Sequence, residues 1–226
     1  MKYNRIVPGV FISRPNRFIA NVEIDGKIEV CHVKNTGRCK EILLPGAKVF
    51  LQKSNNPSRK TQYDLISVYK GNILVNIDSQ VPNDVFGEWL EKAGYFKNIK
   101  YVKRECKFKN SRFDFFVETD TEKIFIEVKG VTLENDGVLS FPDAPTERGV
   151  KHLNELIDAV SEGFKAYVFF IIQMDRCKYF MPNKNNHPEF ANTLKKAVEK
   201  GVSAKALVCD VGIDSIECRE FTKVRI

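Results

Sequence analysis

The sequence contains no apolar run that approaches the roughly 20 residues needed to span a membrane. Its first ten residues, MKYNRIVPGV, also lack the apolar core of a signal peptide. We therefore expect a cytoplasmic protein with no membrane partner. With 226 residues, of which 43% are hydrophobic and 29% charged, the chain can bury a core in one large or two small domains.

The cysteines show no spacing of the kind that zinc sites use. Six are present, at positions 31, 39, 106, 177, 209 and 218, and none forms a CxxC unit. This pattern argues against a zinc ribbon and indicates reduced thiols, most of them buried. A disulfide between Cys31 and Cys39 is the alternative in an oxidised protein.

Positive charge is concentrated in the first third of the chain. Residues 1–79 hold 13 Lys and Arg against 6 Asp and Glu, whereas residues 80–226 hold 23 of each kind. The whole net charge of +7 therefore lies before residue 80. A basic segment beside a balanced one suggests a polyanionic partner for the first and a task that needs carboxylates for the second. A basic surface that serves only solubility is the alternative.

Residues 1–79 are predicted to form an OB-like barrel. Strands are predicted at residues 18–24, 27–33, 48–53, 64–69 and 72–77. Asp25-Gly26 is a strong two-residue hairpin signal between the first two of them. About five strands without a convincing helix suit a small closed barrel, and OB barrels bind single strands through basic and aromatic side chains. The candidates for that contact are Arg14, Arg17, Phe18, Arg38, Lys40, Arg59, Lys60 and Tyr63. For the loop that carries Arg59 and Lys60, a solvated turn is the alternative.

Residues 80–226 are predicted to form a second, α/β domain. Pro82 is predicted to end the barrel, and Asn83 to cap a helix over residues 83–93. Further strands are predicted at residues 99–108, 111–117, 123–128, 165–173, 204–209 and 215–221, with helices at 146–163 and 188–200. Residues 130–145 are predicted as a long irregular connection, a feature that is often functional. The first six elements follow the order αβββαβ of restriction-endonuclease-like domains with a mixed sheet, which gives a two-domain α/β (α+β) chain.

The strongest chemical signal is the segment KIFIEVK at residues 123–129. Side chains alternate along a strand, so Glu127 and Lys129 project from the same face. Asp114 lies in the preceding predicted strand, with 12 residues between it and Glu127. Two carboxylates and a lysine on adjacent strands can bind a divalent cation and activate a water, as in PD-(D/E)xK nucleases. The alternative is a salt bridge on an edge strand.

Asp114, Glu127 and Lys129 are therefore the candidate catalytic residues. Asp114 and Glu127 are predicted to bind Mg²⁺ or Mn²⁺, which prefer oxygen ligands, with Glu88 as a third ligand. A solvated helix face is the equal alternative for Glu88. Lys129 would orient or deprotonate the attacking water, or stabilise the developing charge. Glu105 is interpreted as a supporting partner of Lys129 or Arg112.

Three cationic or titratable side chains, Arg148, Lys151 and His152, occupy the first turns of the helix predicted from residue 146. Cations at a helix start oppose the helix dipole, which indicates that they face an anion. We interpret His152 as a surface histidine that contacts phosphate rather than as a soft-metal ligand. Asn35 and Thr36, in a loop after a strand, contact nucleic acid in one interpretation and form a structural turn in the other.

Five segments resemble one family along nearly the whole chain. They are HVKNTGRCK (32–40), SNNPSRK (54–60), SRFDFFVE (111–118), EVKGVTL (127–133) and FPDAPTERGVKHLNEL (141–156). The last is long and unusual, and the family it resembles is the sugar fermentation stimulation protein A (SfsA) family. The resemblance implies an OB-like domain, a PD-(D/E)xK nuclease-like domain, DNA binding and a part in regulating sugar utilisation. By position, the implied site comprises Glu88, Glu105, Asp114, Glu127 and Lys129, with Arg148, Lys151 and His152.

Two functions remain open at this point. The first is a Mg²⁺- or Mn²⁺-dependent phosphodiesterase acting on nucleic acid, most of all DNA. The second is a non-catalytic DNA-binding regulator of sugar metabolism genes on the same fold. A small-molecule sensor is a third class, for which no sequence feature argues. The oligomeric state is open, with a homodimer among the alternatives.

Overall fold

Residues 1–35 and 37–226 are described in a computed structural model of the chain. Thr36, one of the two loop residues singled out above, lies outside the described residues. The amino-terminal third contains β1 (Ile6–Asn16), β2 (Ile19–Ile24), β3 (Lys27–Val33), β4 (Lys48–Lys53), β5 (Tyr63–Lys70) and β6 (Ile73–Asn76). The remainder contains α1 (Val81–Lys92), β7 (Tyr101–Phe108), β8 (Ser111–Glu118), β9 (Lys123–Val131), β10 (Leu133–Asn135), β11 (Val138–Phe141), α2 (Glu147–Ser161), β12 (Lys165–Ile172), β13 (Tyr179–Pro182), α3 (Pro188–Glu199), β14 (Ser203–Val211) and β15 (Ile216–Thr222).

The first six strands form the OB-like barrel that the sequence predicts. β1 pairs with β2 and β4, β2 pairs with β3, and β4 pairs with β5, all antiparallel. A short parallel pairing between β3 and β5 closes the ring of five strands. The predicted hairpin at Asp25-Gly26 is confirmed, with φ angles of +49° and +76°.

β1 is the barrel strand that the sequence prediction missed. Pro8, Gly9 and Pro15 interrupt the apolar alternation that marks a strand. Gly9 is needed where it stands, because a Cβ at this position would lie 2.6 Å from Cγ1 of Val22 on the neighbouring strand. The residues that hide the strand in the sequence are therefore in part those that let it pack.

The second domain is built on a six-stranded mixed sheet in the order β15-β14-β12-β9-β8-β7. β9, β12 and β14 run parallel, and the outer strands pair antiparallel. β12 is central and buried on both faces, as its continuous apolar sequence predicts. Its Phe169 packs against Phe86 of α1, whereas Phe170 belongs to the core that α2 and α3 cover on the other face.

Two predictions about connecting segments are wrong. Residues 130–145 are not irregular, because β9 continues to Val131 and the hairpin β10–β11 then joins β13 in a three-stranded sheet. Asp136 and Gly137, both with positive φ, make the turn of that hairpin. α1 begins at Val81, with Pro82 in its first turn, where a missing N–H costs nothing. Asn83 therefore does not cap the helix, and its side chain is free for another contact.

The start of α2 is fixed as predicted by Thr146. Its hydroxyl accepts a hydrogen bond from the Gly149 N–H at 3.0 Å, a typical N-cap. This cap sets the rotation of the helix and so decides which of the following residues face the sheet.

Buried polar groups join the barrel to the mixed sheet. Gln173, which follows β12, donates from Nε2 to the carbonyl oxygens of Asn76 and Asp78, both at 3.0 Å. The Asp78 carboxylate accepts from Lys34 at 2.6 Å. The predicted division between residues 79 and 80 falls in the connection between β6 and α1.

Of the three helices in residues 1–35 and 37–226, none combines the length and apolar character that a membrane crossing needs. The six cysteines are free thiols, and Cys31 and Cys39 are both buried.

Candidate metal-binding site

Asp114 lies where β8 and β9 separate. Their pairing runs from Phe115 to Glu118 on β8, and Asp114 comes immediately before it. The Asp114 carboxylate bridges the gap: Oδ2 accepts from the Val128 N–H at 2.7 Å, and Oδ1 accepts from Nδ2 of Asn83 on α1 at 2.8 Å. Burial, and then the nearby charge of Glu127, raise the pKa of Asp114 above its ordinary value. The two carboxylates predicted to act together are thus neighbours.

Glu127 is 3% exposed, and its two carboxylate oxygens have different surroundings. Oε1 accepts hydrogen bonds from Nζ of Lys129 and from Nδ1 of His152, the latter at 2.5 Å. Oε2 is buried and meets no donor within the described residues. Burial by itself would raise the pKa of Glu127, but Lys129 and then His152 outweigh it and hold the pKa below its ordinary value. Glu127 is therefore an ionised carboxylate with one buried oxygen, Oε2, that accepts no hydrogen bond from the described residues.

His152 is 4% exposed, so the prediction of a surface histidine is wrong. Its ring lies on the sheet side of α2, where it meets the ring of Phe113 at 6.2 Å between centroids. The helical spacing of His152, Leu156 and Ala159 places it on the buried stripe of α2, a signal that the sequence offered. A buried histidine beside Glu127 cannot serve as the exposed phosphate contact expected from the sequence.

Arg148 lies one turn before His152 on the exposed side of α2. Its Nε donates to Nε2 of His152 at 3.3 Å, and its other guanidinium nitrogens make no hydrogen bond within the described residues. A neutral imidazole that accepts at Nε2 carries its proton on Nδ1. His152 therefore donates to Glu127 from Nδ1. Lys151 points elsewhere and donates to the Asn110 carbonyl at 2.8 Å.

The structure places three other predicted site residues away from this cluster. Glu88 accepts from the amino group of Met1 at 2.7 Å, and within the described residues it does not join Asp114 and Glu127 in a three-ligand group. Glu105 and Arg112 form an ion pair at 3.1 Å across β7 and β8, with both side chains about two-thirds exposed. The partner of Lys129 is Glu127.

A second group of ligand atoms lies at the starts of α2 and α3. Glu147, His187 and Glu189 bring one ligand atom each to within 4.8 Å of the others. Both glutamates stand in first helical turns, where the positive end of the helix dipole favours carboxylates and disfavours a cation. The Thr146 N–H points at Nδ1 of His187 at 3.3 Å, so in the neutral ring Nε2 carries the proton and has no lone pair for a metal. Both features disfavour a metal ion at this second group.

The cations predicted to contact nucleic acid in the barrel fall into two groups. Arg14 donates to the carbonyls of Arg38, Arg17 and Asn35, each at 2.7 Å, and so holds the loop between β3 and β4. Arg59 binds both carboxylate oxygens of Asp64, at 2.9 and 2.7 Å. The guanidinium groups of Arg14 and Arg59 are thus largely engaged within the protein.

The second group lines an open groove of about 530 Å³. Arg17, Arg38 and Lys40 are exposed there, and none forms an ion pair within the described part of the chain. Ala144 and Pro145, which lead into α2, form part of the wall. Elsewhere on the barrel Lys60 and Phe18 are exposed, and Tyr63 lies under Nζ of Lys53 at 6.0 Å from the ring centre.

Comparison with known proteins accounts for both domains. Residues 12–77 match the family profile described as the SfsA N-terminal OB domain, and residues 80–215 match the one described as the sugar fermentation stimulation protein RE domain. The chain is 60% identical to the sugar fermentation stimulation protein homolog of Clostridium beijerinckii over 224 residues, 99% of each chain. The chain belongs to the SfsA family.

Other family members share its length and fold. The sugar fermentation stimulation protein homolog of Desulfitobacterium hafniense is 60% identical over 226 residues, which cover 100% of this chain and 99% of that one. A solved structure described as Pyrococcus furiosus SfsA in complex with Ca²⁺ is 30% identical and superposes with a TM-score of 0.90, covering 100% of this chain and 98% of the other. The two-domain α+β architecture is therefore that of the family.

Proposed function

We propose that this chain is a DNA-binding protein with a divalent-metal-dependent phosphodiesterase site at Asp114, Glu127 and Lys129. One observation carries the proposal: Oε2 of the ionised, buried Glu127 meets no donor in the described residues, and Asp114 is near enough for the charge of Glu127 to raise its pKa. A buried acceptor without a partner costs on the order of 1–3 kcal/mol. A bound cation would supply the missing partner and offset that cost.

The donor set fits a hard cation such as Mg²⁺ or Mn²⁺. Oxygen atoms of Asp114 and Glu127 are the ligands such ions prefer, and the description of a relative as a Ca²⁺ complex supports the same class of ion. A divalent cation here would act as a Lewis acid towards a phosphate and lower the pKa of a water. Glu88, predicted as a further ligand, is not needed for this proposal.

Lys129 is the residue that would give the site a catalytic group in addition to its metal ligands. Its Nζ lies against Oε1 of Glu127, and its side chain is 17% exposed, so the ammonium is largely buried but not sealed from solvent. From this position it would stabilise negative charge that develops on the phosphate, or take a proton from the attacking water. Asn83 and Val128 hold Asp114 in place for the same purpose.

The groove cations support nucleic acid as the substrate. Arg17, Arg38 and Lys40 border a groove whose wall leads through Pro145 to α2, the helix that carries Arg148. In this proposal residues 1–79 hold the polyanion and residues 80–226 carry the chemistry. Phosphate contacts of this kind give salt-dependent, largely sequence-independent binding.

The test is a cleavage assay on single- and double-stranded DNA and RNA, with Mg²⁺, Mn²⁺ or a chelator. We expect cleavage of DNA that requires a metal ion and is lost in Asp114→Asn. A wild-type protein that binds DNA and cleaves none of the four substrates would contradict the enzyme. That result would favour a non-catalytic DNA-binding regulator. Its supporting observation is the position of Arg17, Arg38 and Lys40 on the barrel, where they form no ion pair with the residues that the structure describes.

A further inference from the structure

The side chains behind the proposed metal site decide which oxygen of Glu127 is available. A carboxylate can turn about its last bond, so the difference between Oε1 and Oε2 must be imposed by its partners. Lys129 is a weak constraint, because its ammonium is a point charge on a flexible stem and can follow either oxygen. The second partner, His152, is a rigid ring with 5% of its side chain exposed.

The ring of His152 is fixed by its own contacts. Phe113 meets it edge-on at 6.2 Å, and the backbone of α2 carries it against β9. Nδ1 lies 2.5 Å from Oε1 of Glu127, while Nε2 accepts from Nε of Arg148 at 3.3 Å. Because the guanidinium of Arg148 is always a donor, it selects the tautomer that has its proton on Nδ1. The opposite tautomer would place a lone pair against the carboxylate.

We propose that His152 is a positioning residue: its Nδ1–H locks Oε1 of Glu127 and thereby presents Oε2 to the metal, with Arg148 setting the tautomer. This inference rests on the proposed metal site. It gives His152 a task different from the phosphate contact that the sequence suggested. Hydrogen-bond partners of metal ligands typically contribute about 10–100-fold in metal affinity, so the effect should be measurable in binding alone.

The test is a calorimetric titration of the full chain with Mn²⁺, comparing His152→Asn with His152→Leu. Asparagine places an amide N–H close to the position of Nδ1 and keeps the donor, whereas leucine fills the space without one. We expect His152→Leu to lower the Mn²⁺ affinity about tenfold or more, and His152→Asn to restore most of it. Asn154→Ala, an exposed residue on the same helix whose side chain donates only to the Val150 carbonyl, is the matched control.

Circular dichroism and thermal unfolding establish that each variant is folded. Equal Mn²⁺ affinity in wild type and His152→Leu would overturn the inference, and so would an equal loss in both variants, because ring packing rather than the donor would then be responsible. If His152→Leu does not fold, Arg148→Met carries the test, since it keeps the length of the stem and removes the donor to Nε2. An unchanged affinity there would overturn the inference, because the hydrogen bond that fixes the tautomer would then have no effect on the metal. A wild type that binds no Mn²⁺ would instead overturn the proposed metal site itself.

Discussion

Two carboxylates of this protein have the same kinds of neighbour but differ in how many of their oxygens accept a hydrogen bond. Asp64 in the barrel and Glu127 in the mixed sheet each meet Nδ1 of a histidine and a cationic side chain. Arg59 reaches both oxygens of Asp64, which leaves neither without a partner. Around Glu127 both partners meet the same oxygen, and Oε2 stays without a donor in the described residues.

The cation makes the difference. A guanidinium is a planar fork that satisfies both oxygens of a carboxylate, whereas an ammonium is a point charge that satisfies one. Arginine beside Asp64 therefore completes a structural pair that ties the loop after β4 to β5. Lysine beside Glu127 neutralises the charge and leaves Oε2 without a donor in the described residues, which is the oxygen that the proposed metal ion would use. If the proposed metal site is correct, lysine at position 129 is needed both for its ammonium and because it leaves Oε2 of Glu127 uncovered.

Substitution of Lys129 should give the largest effect. Lys129→Ala should lower the rate of metal-dependent cleavage by about 100-fold or more, while nucleic-acid affinity changes little, because the ammonium acts on the transition state. Lys129→Arg should not restore the rate, since arginine cannot lose a proton and its fork would cover Oε2 as Arg59 covers Asp64. Single-turnover cleavage and fluorescence-anisotropy binding measure the two quantities. An active Lys129→Arg variant would remove the distinction between the two carboxylates.

Replacing each of these two carboxylates by its amide should distinguish a metal ligand, proposed for Glu127, from a structural ion pair, proposed for Asp64. Glu127→Gln should abolish the rise in melting temperature that Mn²⁺ gives the wild type, because metal binding stabilises only the folded state. Asp64→Asn should keep that rise, although its melting temperature without metal should be lower. Differential scanning fluorimetry over a Mn²⁺ series measures both. A lost response in Asp64→Asn would show that the barrel carboxylate takes part in metal binding.

The basic residues of the barrel provide a third contrast. Lys40→Ala should reduce the slope of log affinity against log salt by about one unit, as expected for one lost phosphate contact. Arg59→Ala should leave the slope nearly unchanged, because its guanidinium is held by Asp64. Binding to a short DNA at several salt concentrations measures the slopes. Equal reductions would mean that Arg59 leaves Asp64 to bind nucleic acid.

Local pattern was sufficient for most elements of the fold. Alternating and continuous apolar runs predicted the barrel, the central strand β12 and the αβββαβ order. The pattern failed where a few residues override it, as at Pro8 and Gly9 in β1. It failed again at residues 130–145, because the strands on either side of the Asp136-Gly137 turn, β10 and β11, are too short to show a clear alternation.

The candidate site was predictable where it depends on one strand. The alternation of side chains placed Glu127 and Lys129 together without any structure. The sequence did not predict which helix residues contact these carboxylates. The contacts of Asn83 with Asp114 and of His152 with Glu127 depend on how α1 and α2 pack on the sheet. Arg14 shows the same limit. The basic charge of residues 1–79 suggested that it contacts phosphate, whereas in the folded protein its guanidinium donates to three carbonyl groups.

Acid unfolding should give the smallest effect and test whether Asp64 is structural. Burial would raise the pKa of Asp64, but its hydrogen bonds to Arg59 and then His32 outweigh burial and hold the pKa below its ordinary value. Because the folded-state pKa is the lower one, this stabilisation is complete above the unfolded carboxyl range and is lost as pH falls through the folded-state pKa. The free energy of unfolding of the wild type, measured by urea titration, should therefore exceed that of Asp64→Asn at pH 7. The two values should converge as the pH is lowered. Glu105→Gln, which breaks an exposed pair, should give a curve parallel to the wild type. If the curve of Asp64→Asn were also parallel to that of the wild type, the ion pair with Arg59 would add no stability. The guanidinium of Arg59 would then not explain why both oxygens of Asp64 are hydrogen-bonded while Oε2 of Glu127 meets no donor in the described residues.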